Sequence, residues 1–175
     1  MVSRTILLPV LLVLILPCFT RAQEQERRDP LLAQFEGSWQ GVCENDGRDY
    51  PCDVRFYWDL QGAYMVSEVS VWQDAKRALV LFEEREFART AGESTHALYS
   101  FSSTGVTRWG TRQCKGAHWT GSVKDSDGLG ETFTLDWNGQ NAWTLTRLLQ
   151  DEEGNVLKKM VFTMHRSGVK KPGGK

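Results

Sequence analysis

The chain has 175 residues, 21 of them basic and 22 acidic, for a net charge of −1. That balance offers no basic face to a phosphate backbone, so no nucleic-acid partner is expected. The length suits one domain with its own hydrophobic core.

Residues 1–22 read as a secretory signal peptide. Arg4 supplies the positive start, Ile6 to Leu16 is an apolar run too short to span a bilayer as an ordinary helix, and Thr20-Arg21-Ala22 places small residues where a signal peptidase reads them. Pro17 precedes Cys18, where a lipoprotein signal needs a small residue, so a lipid anchor is not expected. No later apolar run is long enough for a membrane helix. The mature protein is therefore expected to be secreted or periplasmic, with no integral membrane segment after cleavage. Residues 23–28 read as a charged, flexible N-terminus.

The domain itself is expected over 29–167. Asp29-Pro30 is a helix start, with Asp as N-cap and Pro at the first helical position. Leu31, Leu32 and Phe35 then form one apolar stripe on a short helix that could plug a barrel end. Gly37-x-Trp39 opens the first strand. Cys43 and Cys52 flank a turn-rich segment, Glu44 to Pro51, and are expected to meet across the first hairpin as a disulfide. Export permits such a bond, and closing so short a loop would stabilise the fold by about 3 kcal/mol. Cys114 is then left over: buried, free, or linking two copies in a dimer.

Period-two alternation marks the remaining strands. Val54, Phe56, Trp58 and Leu60 share one face, with Asp53, Arg55, Tyr57 and Asp59 on the other. Over 63–72, Met65, Val69 and Val71 oppose Tyr64, Val66, Glu68 and Trp72. Residues 79–87 follow, and their Glu83-Glu84-Arg85-Glu86 run reads as a solvated strand end. Next come 95–101, 106–113 and 115–123, the last two being one strand broken by a bulge near Cys114 or two separate ones. Strands over 131–137, 141–149 and 156–166 are separated by tight turns at Asn138-Gly139 and Gly154-Asn155. Residues 168–175, with Lys170, Lys171 and Lys175 around Pro172-Gly173-Gly174, read as a disordered basic tail. The fold class is all-β: an antiparallel up-and-down barrel of 8–10 strands with a short N-terminal helix. Tight turns between every pair of strands favour a barrel over a Greek-key sandwich, which needs long crossing connections. A barrel of that size can hold one small ligand.

Enzyme signatures are sparse. There is no Gly-x-Ser-x-Gly elbow, no phosphate-cradling loop and no His-Glu-x-x-His. Asp125-x-Asp127-Gly128 reads as a hairpin turn, because a calcium loop would need ligands at Val123 and Thr134. Without a Cys-x-x-Cys, no metal is expected, and no cofactor. Cys114 and His118 are near in sequence, but no third group is placed to orient the imidazole, so both read as structural.

The aromatic residues say more. Of the seven Trp side chains in a small domain some must fill the core, and for any single one core filling outweighs ligand contact, yet a barrel lining of several Trp and Tyr suits an apolar or aromatic ligand. The candidate ligand-binding residues are Trp58, Tyr64, Trp72, Tyr99, Trp109, Trp143 and Arg147. Arg108, Arg112 and Arg147 could each supply a buried cation for an acidic ligand. Arg147 shares its face with Trp143 and Leu145, so it points in if they do. A buried guanidinium needs a partner, either Glu68 or a ligand carboxylate.

Phe35-x-Gly37-x-Trp39, Trp58-x-Leu60-x-Gly62-x-Tyr64, the Gly-punctuated strands from Tyr99 to Gly121, and Met164-x-Arg166 together resemble the calycin-like superfamily, in particular small secreted bacterial lipocalin-like domains of unknown function. The resemblance implies that Trp39 lies at a barrel floor, that Arg166 packs across its face, and that Gly37, Trp39 and Arg166 are structural. The chain departs from lipocalins proper: it lacks a longer asparagine-containing lead-in to Gly-x-Trp and a mid-chain Thr-Asp-Tyr. Some related barrels bind haem through a late His, but the surroundings of His165 do not resemble that motif. The resemblance transfers no catalytic residue.

The function expected from all this is exported binding of a small apolar or amphipathic molecule. The alternatives are an interaction module without a ligand, motivated by Cys114 and the tail, and a barrel-mouth isomerase or cyclase of a lipid-like substrate.

Overall fold

A computed structural model describes residues 28–168. The expected signal peptide, nearly all of 23–28, and the tail from 169 onward lie outside the described residues. A one-turn helix α1 (Pro30–Ala33) precedes ten strands: β1 (Gly37–Asn45), β2 (Arg48–Asp59), β3 (Tyr64–Trp72), β4 (Val80–Gly92), β5 (Thr95–Ser102), β6 (Thr107–Lys115), β7 (His118–Asp125), β8 (Gly130–Trp137), β9 (Ala142–Gln150) and β10 (Val156–Arg166). Each strand pairs antiparallel with the next in the chain, and β1 pairs with β10 to close the barrel. Closure leaves no unpaired edge. No helix among the described residues is long and apolar enough to cross a membrane.

Strand register corrects one expectation and decides between two readings of another. The segment between Cys43 and Cys52 is no loop. Asp46 and Gly47, both with positive φ (53° and 73°), make a two-residue turn that pairs Asn45 with Arg48. The register this sets puts Tyr50 opposite Cys43 and Gly41 opposite Cys52. The cysteines are thus diagonal neighbours, too far apart for the Cβ spacing a disulfide requires, and both are free, buried thiols. Likewise β6 and β7 are two strands, joined by a turn at Gly116-Ala117 that pairs Lys115 with His118, with no bulge at Cys114.

The core is densest at the end where α1 sits. Asp29 caps the helix by accepting from Leu31 N at 2.8 Å. Leu32, Phe35 and Trp39 are fully buried there. The Phe35 ring lies 5.0 Å from Trp119 and 4.7 Å from Trp137, so the short apolar stripe seals the floor through aromatic contacts. Gly41 on β1 lets β10 approach closely: a Cβ there would sit 1.9 Å from the Thr163 carbonyl oxygen.

Candidate ligand cavity

Alternation decides what enters the lumen. On β4 the inward positions are Phe82, Glu84, Glu86 and Ala88, and on β8 they are Glu131, Phe133 and Leu135. On β9, Trp143, Leu145 and Arg147 point in. Above the aromatic floor these side chains, Phe82 and Ala88 excepted, border a cavity of about 70 Å³, with Val54, Phe56, Leu98 and Phe162 completing its apolar wall. A second space of about 290 Å³ opens at the other rim, between Asn45, Leu81, Thr104 and Lys158.

Glu84, Arg108, Glu131 and Arg147 border both spaces and form a charged layer between them. Arg147 donates from Nε and Nη2 to the Glu131 carboxylate at 2.6 and 3.0 Å, and from Nη1 to Glu84 at 2.6 Å. Arg108 donates to Glu84 at 3.2 Å. Two guanidiniums and two carboxylates balance in charge, which is how buried ions are tolerated at all. Burial alone would raise the Glu84 carboxyl. Arg147, Arg108 and a hydrogen bond from Ser100 outweigh that and hold it down at about 2.

Deeper in the cavity stands a different pair. Arg112 on β6 is 8% exposed, with its guanidinium 5.0 Å from the Trp119 ring centre and 6.0 Å from that of Phe35. Glu86 approaches it only to 3.6 Å. Among the described residues the Arg112 Nε has no hydrogen-bond partner. Burial raises the Glu86 carboxyl above its ordinary range; Arg112 opposes this, while the Glu84 and Glu131 carboxylates add to it.

Below Arg112, at the floor rim, a chain of three side chains runs inward. The Asp29 carboxylate lies 3.0 Å from His96 Nε2, and His96 Nδ1 lies 3.3 Å from Cys114 Sγ. The order of groups is that of a thiol nucleophile, a base and an orienting acid. Its chemistry is not: burial pushes the Cys114 thiol up to about 11, and Cys114 does not line the cavity. The chain instead ties the helix cap to the wall, helped by Thr90 donating to Asp29 at 2.7 Å.

No family model and no curated protein matches the chain. Among solved structures, Rv2717c from M. tuberculosis is similar over 80% of this chain and 99% of its own, with a TM-score of 0.64 at 12% identity. At that identity the likeness concerns the fold alone. A redesigned β-barrel, mFAP1, bound to DFHBI, covers 77% of this chain and 97% of its own at 12% identity, with a TM-score of only 0.39.

The seven candidate ligand residues divide between the two sides of the wall. Trp143 and Arg147 border the cavity. Trp58 packs against the core at the floor without reaching the cavity, under the Arg28 guanidinium. Tyr64, Trp72, Tyr99 and Trp109 point outward, a correction to the expected lining. Tyr99 and Trp109 are 44% and 48% exposed, and Tyr64 rests on Phe87. Trp72 donates its indole N–H to Asp53 on the outer face at 2.9 Å. Period-two alternation groups residues by face without saying which face is inside, and here the aromatic face of β3, β5 and β6 is the outer one.

Glu68 is also outside, bonded to Tyr57 and paired with Arg85, so it is no partner of Arg147. Glu84 and Glu86, read as a solvated strand end, face inward. The signal for them was present: they share parity with Ala88, as Glu131 does with Phe133 and Leu135. Cys114 faces inward against His96 as a buried, free thiol, the first two of the alternatives left open, and offers no exposed sulfur to a second copy. Gly37, Trp39 and Arg166 meet at the floor, where the Arg166 guanidinium lies 4.4 Å over the Trp39 ring. His165 is paired across β9 with Ala142, facing away from Arg166.

Proposed function

We propose that the protein is an exported, calycin-like barrel that binds a small apolar or amphipathic molecule in its lumen. The observation that carries this reading is the internal cavity itself, with aromatic and aliphatic walls and a few fixed polar groups. That is the composition of a small-molecule site, where apolar contact supplies affinity and buried polar groups supply orientation. Export rests on residues 1–22.

The test is native mass spectrometry of protein purified without detergent from its own host. The expected result is an added mass that leaves on denaturation, on a polypeptide that begins after Ala22. A bare polypeptide that also takes up no small apolar probe would sink the binding reading. An uncleaved N-terminus would sink export.

A further inference from the structure

Three guanidiniums line this lumen and are bonded unequally: Arg108 donates to Glu84 at 3.2 Å. Arg147 is saturated by Glu84 and Glu131. Arg112 is as deeply buried, yet among the described residues no side chain accepts a hydrogen bond from its Nε, and its one carboxylate neighbour stands off at 3.6 Å. A guanidinium carries five donors in a fixed fork, and leaving it unbonded inside a protein is costly. The Trp119 and Phe35 rings offer their faces to the cation but accept none of its N–H groups in the plane of the fork.

We propose that Arg112 anchors the anionic head of the cavity's ligand, which is a small aromatic or amphipathic monoanion such as a carboxylate. This inference rests on the binding reading above and narrows it. The fork geometry matches a carboxylate with two parallel hydrogen bonds. The ligand's body then lies against the apolar wall of Leu98, Val123, Leu135 and Phe162, which border the same cavity.

Charge balance supports the assignment. Glu84 and Glu131 are committed to Arg108 and Arg147. The remaining carboxyl, Glu86, stands off from Arg112 at 3.6 Å; burial raises it above its ordinary range, and Arg112 opposes this. Arg112 is thus the lumen cation whose one carboxylate neighbour makes no hydrogen bond to it. His96, Cys114 and Asp29 complete the titratable groups near Arg112; the thiol is neutral, and Asp29 is engaged by His96 and Thr90.

Calorimetric titration of the folded protein with two matched pairs tests this: benzoate against benzamide, and 1-naphthoate against 1-naphthamide. The members of each pair differ little in shape and mainly in charge. The expected result is that the anion of at least one pair binds about tenfold or more tightly than its amide, the range for a charge-assisted hydrogen bond. Arg112→Gln should erase that preference while amide binding persists. Glu86→Gln, which removes the competing carboxylate, should widen it, and serves on its own if Arg112→Gln does not fold. An amide that binds as well as its acid overturns the anion anchor and leaves the binding reading standing, as does a preference untouched by both variants. Binding of neither member of either pair overturns both.

Discussion

The Arg166 guanidinium lies 4.4 Å above the indole of Trp39, its partner across the β1–β10 seam, and donates to the carbonyls of Glu36 at 2.6 Å and Gln34 at 2.7 Å. One side chain thus closes the barrel, covers its floor and holds the segment leading out of α1. Gly37 stands beside it with φ +119°, where a Cβ would come 3.1 Å from Arg166 Nη1. Replacing Arg166 by Met keeps the aliphatic stem but loses the cation and two charged hydrogen bonds. The expected loss is about 2–4 kcal/mol in urea unfolding. A change below about 0.5 kcal/mol would mean that the seam closes without this residue.

The charged layer between cavity and mouth gives a second expectation. Arg147→Met removes the centre of the cluster and leaves two buried carboxylates with Arg108 alone between them, which costs about 3–5 kcal/mol. Replacing the charged members together by apolar residues of similar volume should cost far less. An equal loss in both variants would refute the view that the layer is held by charge pairing.

The same layer sets an acid limit. The Glu84 carboxyl sits at about 2 in the folded chain against an ordinary 4.5, so the unfolded chain binds its proton first. Its contribution to stability is complete above 4.5 and is lost as pH falls through that value toward 2. Glu84→Gln should flatten the fall in stability across this window relative to the parent protein. Parallel curves for the two, followed by urea unfolding at stepped pH, would contradict the assignment.

A milder acid effect belongs to the floor. Burial pushes the His96 imidazole below its ordinary 6.5, Arg112 pushes the same way, and Asp29 opposes them without prevailing. Protons then favour the unfolded chain, so this contribution is full above 6.5 and declines as pH falls below it. Proton-detected titration should place His96 below ordinary histidine, and His96→Asn should remove part of the pH slope between neutral and mildly acid solution. An imidazole that titrates in the ordinary range would show that Asp29 outweighs burial.

The cysteines provide a direct check on strand register. Burial pushes the Cys43 and Cys114 thiols up to about 11 and raises Cys52 as well. In the native protein all three should resist an aromatic disulfide reagent, since the thiolate is the reactive form. In denaturant a chain cleaved after Ala22, and so without Cys18, should react with three equivalents. One equivalent would reveal a Cys43–Cys52 bond and a first hairpin with a different register.

Much of the architecture was legible in the chain by itself. Alternating polar and apolar residues between Gly-containing turns specified antiparallel strands, and the absence of long connections specified an up-and-down barrel. Asp29-Pro30 announced the plug helix, because the cap and the fixed φ of proline are local properties. The Gly37, Trp39 and Arg166 trio was legible through resemblance, as a short pattern at each end of the domain. Alternation also tied Arg147 to Trp143, since residues two apart share a face whatever surrounds them.

What the chain could not decide alone was which face is inside and who meets whom across strands. Tyr99 and Trp109 are apolar enough for a lumen, yet β5 and β6 turn His96, Leu98, Arg108 and Arg112 inward instead. The partners of Arg147 come from β4 and β8, with Glu84 63 residues away in sequence and Glu131 16 away. Cys43 and Cys52 missed each other because a two-residue turn set the register of a whole hairpin. Periodicity is a property of a single strand; closure of ten strands into one barrel fixes registers jointly, and the cavity, its charged layer and the unbonded Arg112 exist only after that closure.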